Sequence, residues 1–223
     1  MENTTQKDVI LPCACDEEYF VEDLGAVTTK PLYAFFKRGF DIAFSLIFLV
    51  LLALPMLVIA LLVKCSSKGT IFYHQERLGL NGRKIDVIKF RSMRMDAETD
   101  GICWSAGDDD PRITPIGRVL RKTRLDELPQ LWCILKGDMS VVGPRPEREV
   151  YYERFEQYVH GFSQRLKVVP GLTGLAQVRG GYYLMPQDKI VYDVEYIKTR
   201  NFWLDMRIVL ETVAVVLKRE GAK

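Results

Sequence analysis

The chain has 223 residues, 48% of them hydrophobic, and a net charge of +2 from 31 basic and 29 acidic side chains. That length suits one domain, or one domain with an appendage. Near-neutral charge argues against a nucleic-acid binder, which carries a clear basic excess. The five cysteines, Cys13, Cys15, Cys65, Cys103 and Cys133, are scattered and odd in number. Cys13-Ala-Cys15 is too tight for a CxxC pair, so they read as free thiols of a reducing compartment, with no metal–thiolate site.

Residues 1–30 are acidic and weakly patterned, a loosely ordered extension. Residues 31–64 form a separate unit. Tyr33, Phe35 and Phe36 stand beside Lys37-Arg38, an interfacial composition. Ile42–Val63 then runs for about 22 residues without a charge, enough to span a bilayer. It begins too far into the chain, and is too long, for a signal-peptide core. Pro55, in its middle, removes a helix hydrogen bond and predicts a kink. Basic residues flank both ends: Lys37 and Arg38 before, Lys64 and Lys68 after. A straight span satisfies the positive-inside rule at one end only, whereas a helix–kink–helix that re-enters the same face satisfies it at both. Both arrangements stay open on this pattern, with Ser45 a candidate to satisfy backbone groups freed at the kink.

Residues 65–223 are polar. Ile71–Gln75 and Ile85–Phe90 read as strands joined by the turn signal Gly79-Leu-Asn81-Gly82. Met95–Asp110 reads as a loop, and Pro111–Thr123 as a helix. A further helix is expected to begin near Leu125 or Asp126, because Leu125, Leu128, Leu131, Trp132 and Leu135 have helical spacing and Pro129 is tolerated only in a first turn. Glu147–Phe162 places Tyr151, Tyr152, Phe155, Tyr158, Val159 and Phe162 on one helical face, suited to a water–lipid boundary, a homodimer or a core. Trp203–Lys218 is a second strongly apolar helix fit for an interface. His74 and His160 are isolated and read as structural or surface residues.

The chemistry concentrates at Asp126-Glu127. Acids in a first helical turn are ordinary complements to the helix dipole. These two, however, follow Arg112, Arg118, Arg121, Lys122 and Arg124, and precede Gly143-Pro144-Arg145-Pro146 and Pro170-Gly171-Leu-Thr173-Gly174. Arginine grips phosphate through a planar fork, proline fixes the backbone that carries it, and glycine turns let N–H groups approach an anion. Carboxylates near phosphate imply Mg²⁺, which one or two acids hold together with substrate phosphates, or direct attack on phosphorus. The residues alone accommodate a phosphotransferase, a scaffold for anionic lipids, or a metal-dependent phosphohydrolase.

The ordered motifs Lys37-Arg38-Gly-Phe-Asp41, Gln75-Glu76-Arg77-Leu-Gly79, Lys89-Phe-Arg91-Ser-Met93, Leu125-Asp126-Glu127-Leu-Pro-Gln130, Lys136-Gly-Asp138-Met-Ser140-Val-Val-Gly-Pro-Arg145-Pro146, Pro170-Gly-Leu-Thr173-Gly-Leu-Ala-Gln177 and Tyr192-Asp193 resemble those of the bacterial sugar transferases. These are the small monotopic polyprenyl-phosphate phosphoglycosyl transferases. The resemblance covers roughly Phe36–Leu217 and implies an α+β, mostly helical fold. That fold would comprise a re-entrant anchor kinked at Pro55, interfacial amphipathic helices, a small β-hairpin and a compact catalytic domain on the cytoplasmic face of the bacterial inner membrane.

It implies further that Asp126 attacks the β-phosphate of a UDP-sugar, expels UMP, and passes the phosphosugar to polyprenyl phosphate in ping-pong fashion. Glu127 would bind Mg²⁺. Lys89, Arg121, Arg145, Pro144, Pro146, Thr173 and Asp193 are the implied phosphate- and nucleotide-site residues. Met95–Asp110 and Gly180–Asp188 are the candidate specificity loops.

Overall fold

The computed structural model describes residues 18–97, 110–180 and 184–218. In chain order its elements are β1 (Tyr19–Phe20), α1 (Pro31–Leu51), α2 (Ala53–Ser66), β2 (Phe72–Leu78), β3 (Lys84–Phe90), α3 (Pro115–Thr123), α4 (Gln130–Lys136), β4 (Ser140–Val142), α5 (Glu149–Phe155), β5 (Val159–His160), β6 (Gly171–Thr173), α6 (Leu175–Arg179), α7 (Pro186–Thr199) and α8 (Phe202–Lys218). Helices dominate, and the strands form three two-stranded sheets, β1–β5, β2–β3 and β4–β6, as an α+β fold requires. Of the expected loop Met95–Asp110, residues 98–109 lie outside the described residues, as do Cys13, Cys15 and Cys103; of Gly180–Asp188 only residues 181–183 do, and Pro186–Asp188 are not loop but the first turn of α7. Cys65 and Cys133 are free thiols.

The hairpin forms where the alternation and turn chemistry predict it. Its antiparallel register runs from Phe72 opposite Phe90 to Leu78 opposite Lys84. Asn81 (φ 54°) and Gly82 (φ 76°) supply the left-handed backbone of the turn. Helix α3 starts four residues later than Pro111. Thr114 caps it by accepting the Gly117 N–H at 3.0 Å, and Pro115 takes the first position, where its missing N–H costs nothing.

Glu147–Phe162 is not one helix. Only Glu149–Phe155 is helical; Val159–His160 pairs in parallel with Tyr19–Phe20, and Gly161 turns the chain at φ 95°. Glu156 accepts the N–H groups of Gly161 and Ser163 and so holds this break. Tyr151, Tyr152, Phe155, Val159 and Phe162 form a buried cluster with Leu78 and Ile190, so this aromatic face is core and not a lipid or dimer surface. The same helical spacing serves either purpose, and the shortness of α5 decides it.

The apolar segment is two helices bent by 63°; among the described residues no single helix is long and apolar enough to cross a membrane. The break falls at Leu52, three residues before Pro55. Ser45 does not repair it, since its hydroxyl is buried and makes no hydrogen bond. Lys37 and Arg38 are not free flanking charges. Lys37 Nζ donates to Val142 O (2.8 Å) and pairs with Asp205 (3.0 Å), while Arg38 donates to Ile134 O and Leu135 O, both at 2.7 Å, capping the end of α4. Asp41 accepts from Ser140 Oγ and Val141 N.

At the far end of the pair, buried Arg91 donates to Val63 O, Ser67 O and Lys68 O, closing the C-terminus of α2. Both outer ends of the bent pair are thus bonded to one body. Large exposed apolar side chains run along the pair, from Phe35 and Phe36 through Leu46, Leu51 and Leu54 to Leu62.

Candidate active site

The acid pair lies one turn ahead of the helix expected to carry it. Arg124 ends α3 in the left-handed region (φ 56°), a conformation costing a non-glycine residue roughly 1 kcal/mol. Leu125–Glu127 then form a 3-10 turn, and α4 begins only after Pro129, which has no N–H to extend the ladder backwards. Leu128 packs into the cluster of Ile59, Val63, Phe90 and Leu120 that joins α2 to β3 and α3. The acids therefore stand at the base of the apolar arm.

The two carboxylates differ sharply. Glu127 Oε1 accepts from Lys89 Nζ at 2.9 Å, and the Arg145 guanidinium forks onto both Glu127 oxygens. Burial alone would raise the Glu127 pKa, but Arg145 and Lys89 outweigh it and hold the carboxyl well below its usual range. Lys89 is itself pushed down by burial, with Glu127 opposing and Arg145 and Arg77 adding to the shift. The ionised Glu127 is the firmer side, because two cations touch it and only one anion touches Lys89.

Asp126 is 8% exposed and accepts no hydrogen bond among the described residues. Burial and the Glu127 charge push its pKa up to about 6, against the pull of Lys89, Arg121 and Arg145, so it is mostly ionised at neutral pH. The result is a desolvated, uncommitted carboxylate beside a clamped one. Arg121 is half-buried on α3; among the described residues its side chain makes no hydrogen bond or ion pair, and its charge acts on Asp126 and on Asp110.

Lys89, Arg121, Asp126, Glu127 and Arg145 are thus brought together. Thr173 and Asp193 are placed behind them. The Thr173 hydroxyl bonds Thr212 Oγ1 at 2.7 Å, and its carbonyl accepts the Gly143 N–H. Asp193 pairs with Arg165 at 2.6 Å in the interior. Pro144 and Pro146 contribute carbonyls that other residues hold. The glycines of these loops serve backbone packing: a Cβ on Gly143 or Gly171 would collide with the other loop's main chain, and both N–H groups donate to backbone carbonyls. Arg165 and Arg77, which support the Arg145 loop, carried no assigned role in the sequence. Arg77 lies within Gln75-Glu76-Arg77-Leu-Gly79, the signal nearest to it, whereas Arg165 belongs to none of the family motifs.

Among the described residues no group of three or more His, Cys, Asp or Glu side chains could hold a metal alone. Adjacent Asp126 and Glu127 fit magnesium in the form where one or two carboxylates share it with substrate phosphates. Such an ion would compete with Lys89 and Arg145 for the Glu127 oxygens.

The family described as bacterial sugar transferase matches residues 32–219. The chain is 41% identical over 203 residues to the UDP-N-acetylgalactosamine-undecaprenyl-phosphate N-acetylgalactosaminephosphotransferase of Aeromonas hydrophila, covering 90% of this chain and 48% of that protein. It is 38% identical over 206 residues to the UDP-glucose:undecaprenyl-phosphate glucose-1-phosphate transferase of Escherichia coli K12, covering 86% and 44%. A Caulobacter vibrioides protein of the same description is 38% identical over 192 residues, covering 83% and 71%. The chain spans about half the length of the first two relatives.

Proposed function

The chain belongs to the bacterial sugar transferase family, and on that footing we propose that it moves a sugar 1-phosphate from a UDP-sugar to polyprenyl phosphate (undecaprenyl phosphate), releasing UMP as a first membrane step of glycan assembly. One observation carries the reading: Asp126 is buried and uncommitted while Glu127, the next residue, is clamped by Lys89 and Arg145. A pair serving only the helix dipole would need neither burial nor two cations.

An Asp126 oxygen forms a bond to the sugar-linked phosphorus. The bond from that phosphorus to the bridging oxygen breaks, and UMP leaves with the oxygen and its electron pair. A phosphate oxygen of polyprenyl phosphate then attacks the same phosphorus, the Asp126–phosphorus bond breaks, and the carboxylate returns unchanged. Burial strips water from Asp126, which favours attack and protects the acyl phosphate from hydrolysis. Lys89, Arg121 and Arg145 orient the diphosphate and balance its charge. Glu127 would hold Mg²⁺ together with the substrate phosphates, and the ion when bound offsets the charge of the departing UMP.

The anchor supports the acceptor. Bonds from Lys37, Arg38 and Asp41 at one end of the bent pair, and from Arg91 at the other, tie both ends to one body. A re-entrant hairpin meets that constraint; a straight crossing would separate the ends by the bilayer thickness. The exposed Trp203, Leu210 and Val213 of α8 suit a helix lying at the lipid surface, on the cytoplasmic face.

The purified chain in lipid nanodiscs, given Mg²⁺, polyprenyl phosphate and a panel of UDP-sugars, is expected to release UMP with at least one sugar. Failure with every sugar, or release of phosphosugar into water without an acceptor, contradicts the reading.

A further inference from the structure

The loop that presents Arg145 is held carbonyl by carbonyl. Gly171 N donates to Pro144 O at 2.9 Å, Arg165 Nη2 to Arg145 O at 2.8 Å, Arg77 Nη1 to Pro146 O at 2.5 Å, and Leu78 N to Glu147 O at 2.9 Å. With prolines fixing φ on either side, these bonds determine where the Arg145 side chain starts.

Of the two arginines in this set, Arg165 is the one wholly buried, its side chain 0% exposed against 14% for Arg77. Arg165 Nε donates to Asp193 Oδ2 at 2.6 Å, with 0% and 2% of the two side chains exposed. Its guanidinium lies 4.7 Å from the Phe162 ring centroid and 5.9 Å from that of Tyr152. A buried ion pair contributes little to stability that well-packed apolar side chains would not also give. What apolar side chains cannot supply is a donor aimed at one carbonyl. Among the described residues Arg165 makes no hydrogen bond or ion pair with Asp126 or Glu127, so its effect on them passes through Arg145.

We propose that Arg165, oriented by Asp193, is a positioning residue that fixes the Arg145 fork for phosphate chemistry at Glu127 and Asp126. The proposal rests on the reading of Arg145 as a phosphate-site residue, given above. It also accounts for Asp193 as a member of the functional constellation that never meets the substrate.

The test is a double-mutant cycle on the full chain in nanodiscs, reading kcat/KM for UMP release with whichever of UDP-glucose and UDP-N-acetylgalactosamine the wild type turns over. Arg165→Lys keeps a positive charge but loses the planar fork that reaches Asp193 and Arg145 O together. It is expected to lower kcat/KM about 10- to 100-fold, the usual scale for slight misplacement of a reacting group. Arg145→Ala is expected to lower it at least as far, and Arg165→Lys added to Arg145→Ala to cost nothing more. A merely structural role for Arg165 would give multiplying losses, and that outcome overturns the positioning proposal alone. Full activity of Arg165→Lys does the same. Full activity of Arg145→Ala overturns the parent reading and the proposal with it. Should Arg165→Lys fail to fold, Asp193→Asn takes its place in the same cycle, with the same non-additivity expected.

Discussion

Asp126 and Glu127 are neighbours in sequence and opposites in environment: Arg145 and Lys89 bind both oxygens of Glu127, and no described residue donates to Asp126. The left-handed Arg124 and the 3-10 turn after it create the difference, by turning the two carboxylates to different neighbours. A regular helix start would have set both beside the same free N–H groups.

The clamp is asymmetric, and conservative substitutions should reveal it. Arg145 uses two nitrogens on two oxygens, whereas Lys89 uses a single nitrogen on one. Arg145→Lys should therefore lower kcat/KM for UMP release by about tenfold or more, while Lys89→Arg should cost only about a few-fold. Equal losses from the two exchanges would argue against a bidentate role for Arg145.

Arg91 should be a stability residue of the anchor. It is 3% exposed and donates to three carbonyls and the Ser67 hydroxyl at the end of α2. Arg91→Met leaves those acceptors unpaired and is expected to cost about 2–4 kcal/mol, read by denaturant or thermal unfolding in detergent. An unchanged melting curve would show that the α2 end is held by other contacts.

Topology can be read with cysteines. Cys65 is exposed near the end of α2, and Lys30, just before α1, is exposed as well. With the other cysteines changed to serine, Cys65 and a Lys30→Cys variant should both react with an impermeant maleimide in inside-out vesicles, and neither in right-side-out ones. Labelling from opposite faces would establish a crossing helix.

Glu147 ties stability to acid pH. Burial would raise its pKa, yet Lys189, Arg77 and Arg165 hold it down to about 2, below the ordinary 4.5 of an unfolded chain. A depressed carboxyl pKa adds stability above the unfolded value and loses it as pH falls through the folded one. Lys189 is pushed down by burial in the same pair, so the net contribution is smaller than Glu147 alone implies, on the order of 1–3 kcal/mol. The stability gap between wild type and Glu147→Gln should shrink as pH drops from about 4.5 towards 2. A gap constant across that range would remove Glu147 from the linkage.

The hairpin and the acid pair were legible in sequence because each depends on residues a few positions apart, whereas the sequence pattern starts α3 at Pro111 and misses the cap at Thr114. Nor were the supports of Arg145 legible. Arg165 meets Asp193 twenty-eight positions away and Arg145 twenty positions away, separations at which periodicity carries no information. The tyrosines of α5 misled for a different reason: apolar residues at helical spacing mark a bilayer face and a core face alike, and the spacing runs on past Phe155, where the helix ends and the chain turns into β5. Lys37 and Arg38 looked like flanking charges because composition registers their sign and not the carbonyls of α4 and β4 that they bind.

The most direct measurement of the central claim is the intact mass of the protein after mixing with a UDP-sugar and Mg²⁺ in the absence of polyprenyl phosphate. The wild type should gain the mass of one phosphosugar, release a stoichiometric burst of UMP, and lose the adduct when polyprenyl phosphate is added; Asp126→Asn should show neither adduct nor burst. UMP release by Asp126→Asn at the wild-type rate, or turnover by the wild type only when donor and acceptor are present together with no adduct at any time, would contradict the covalent role of Asp126.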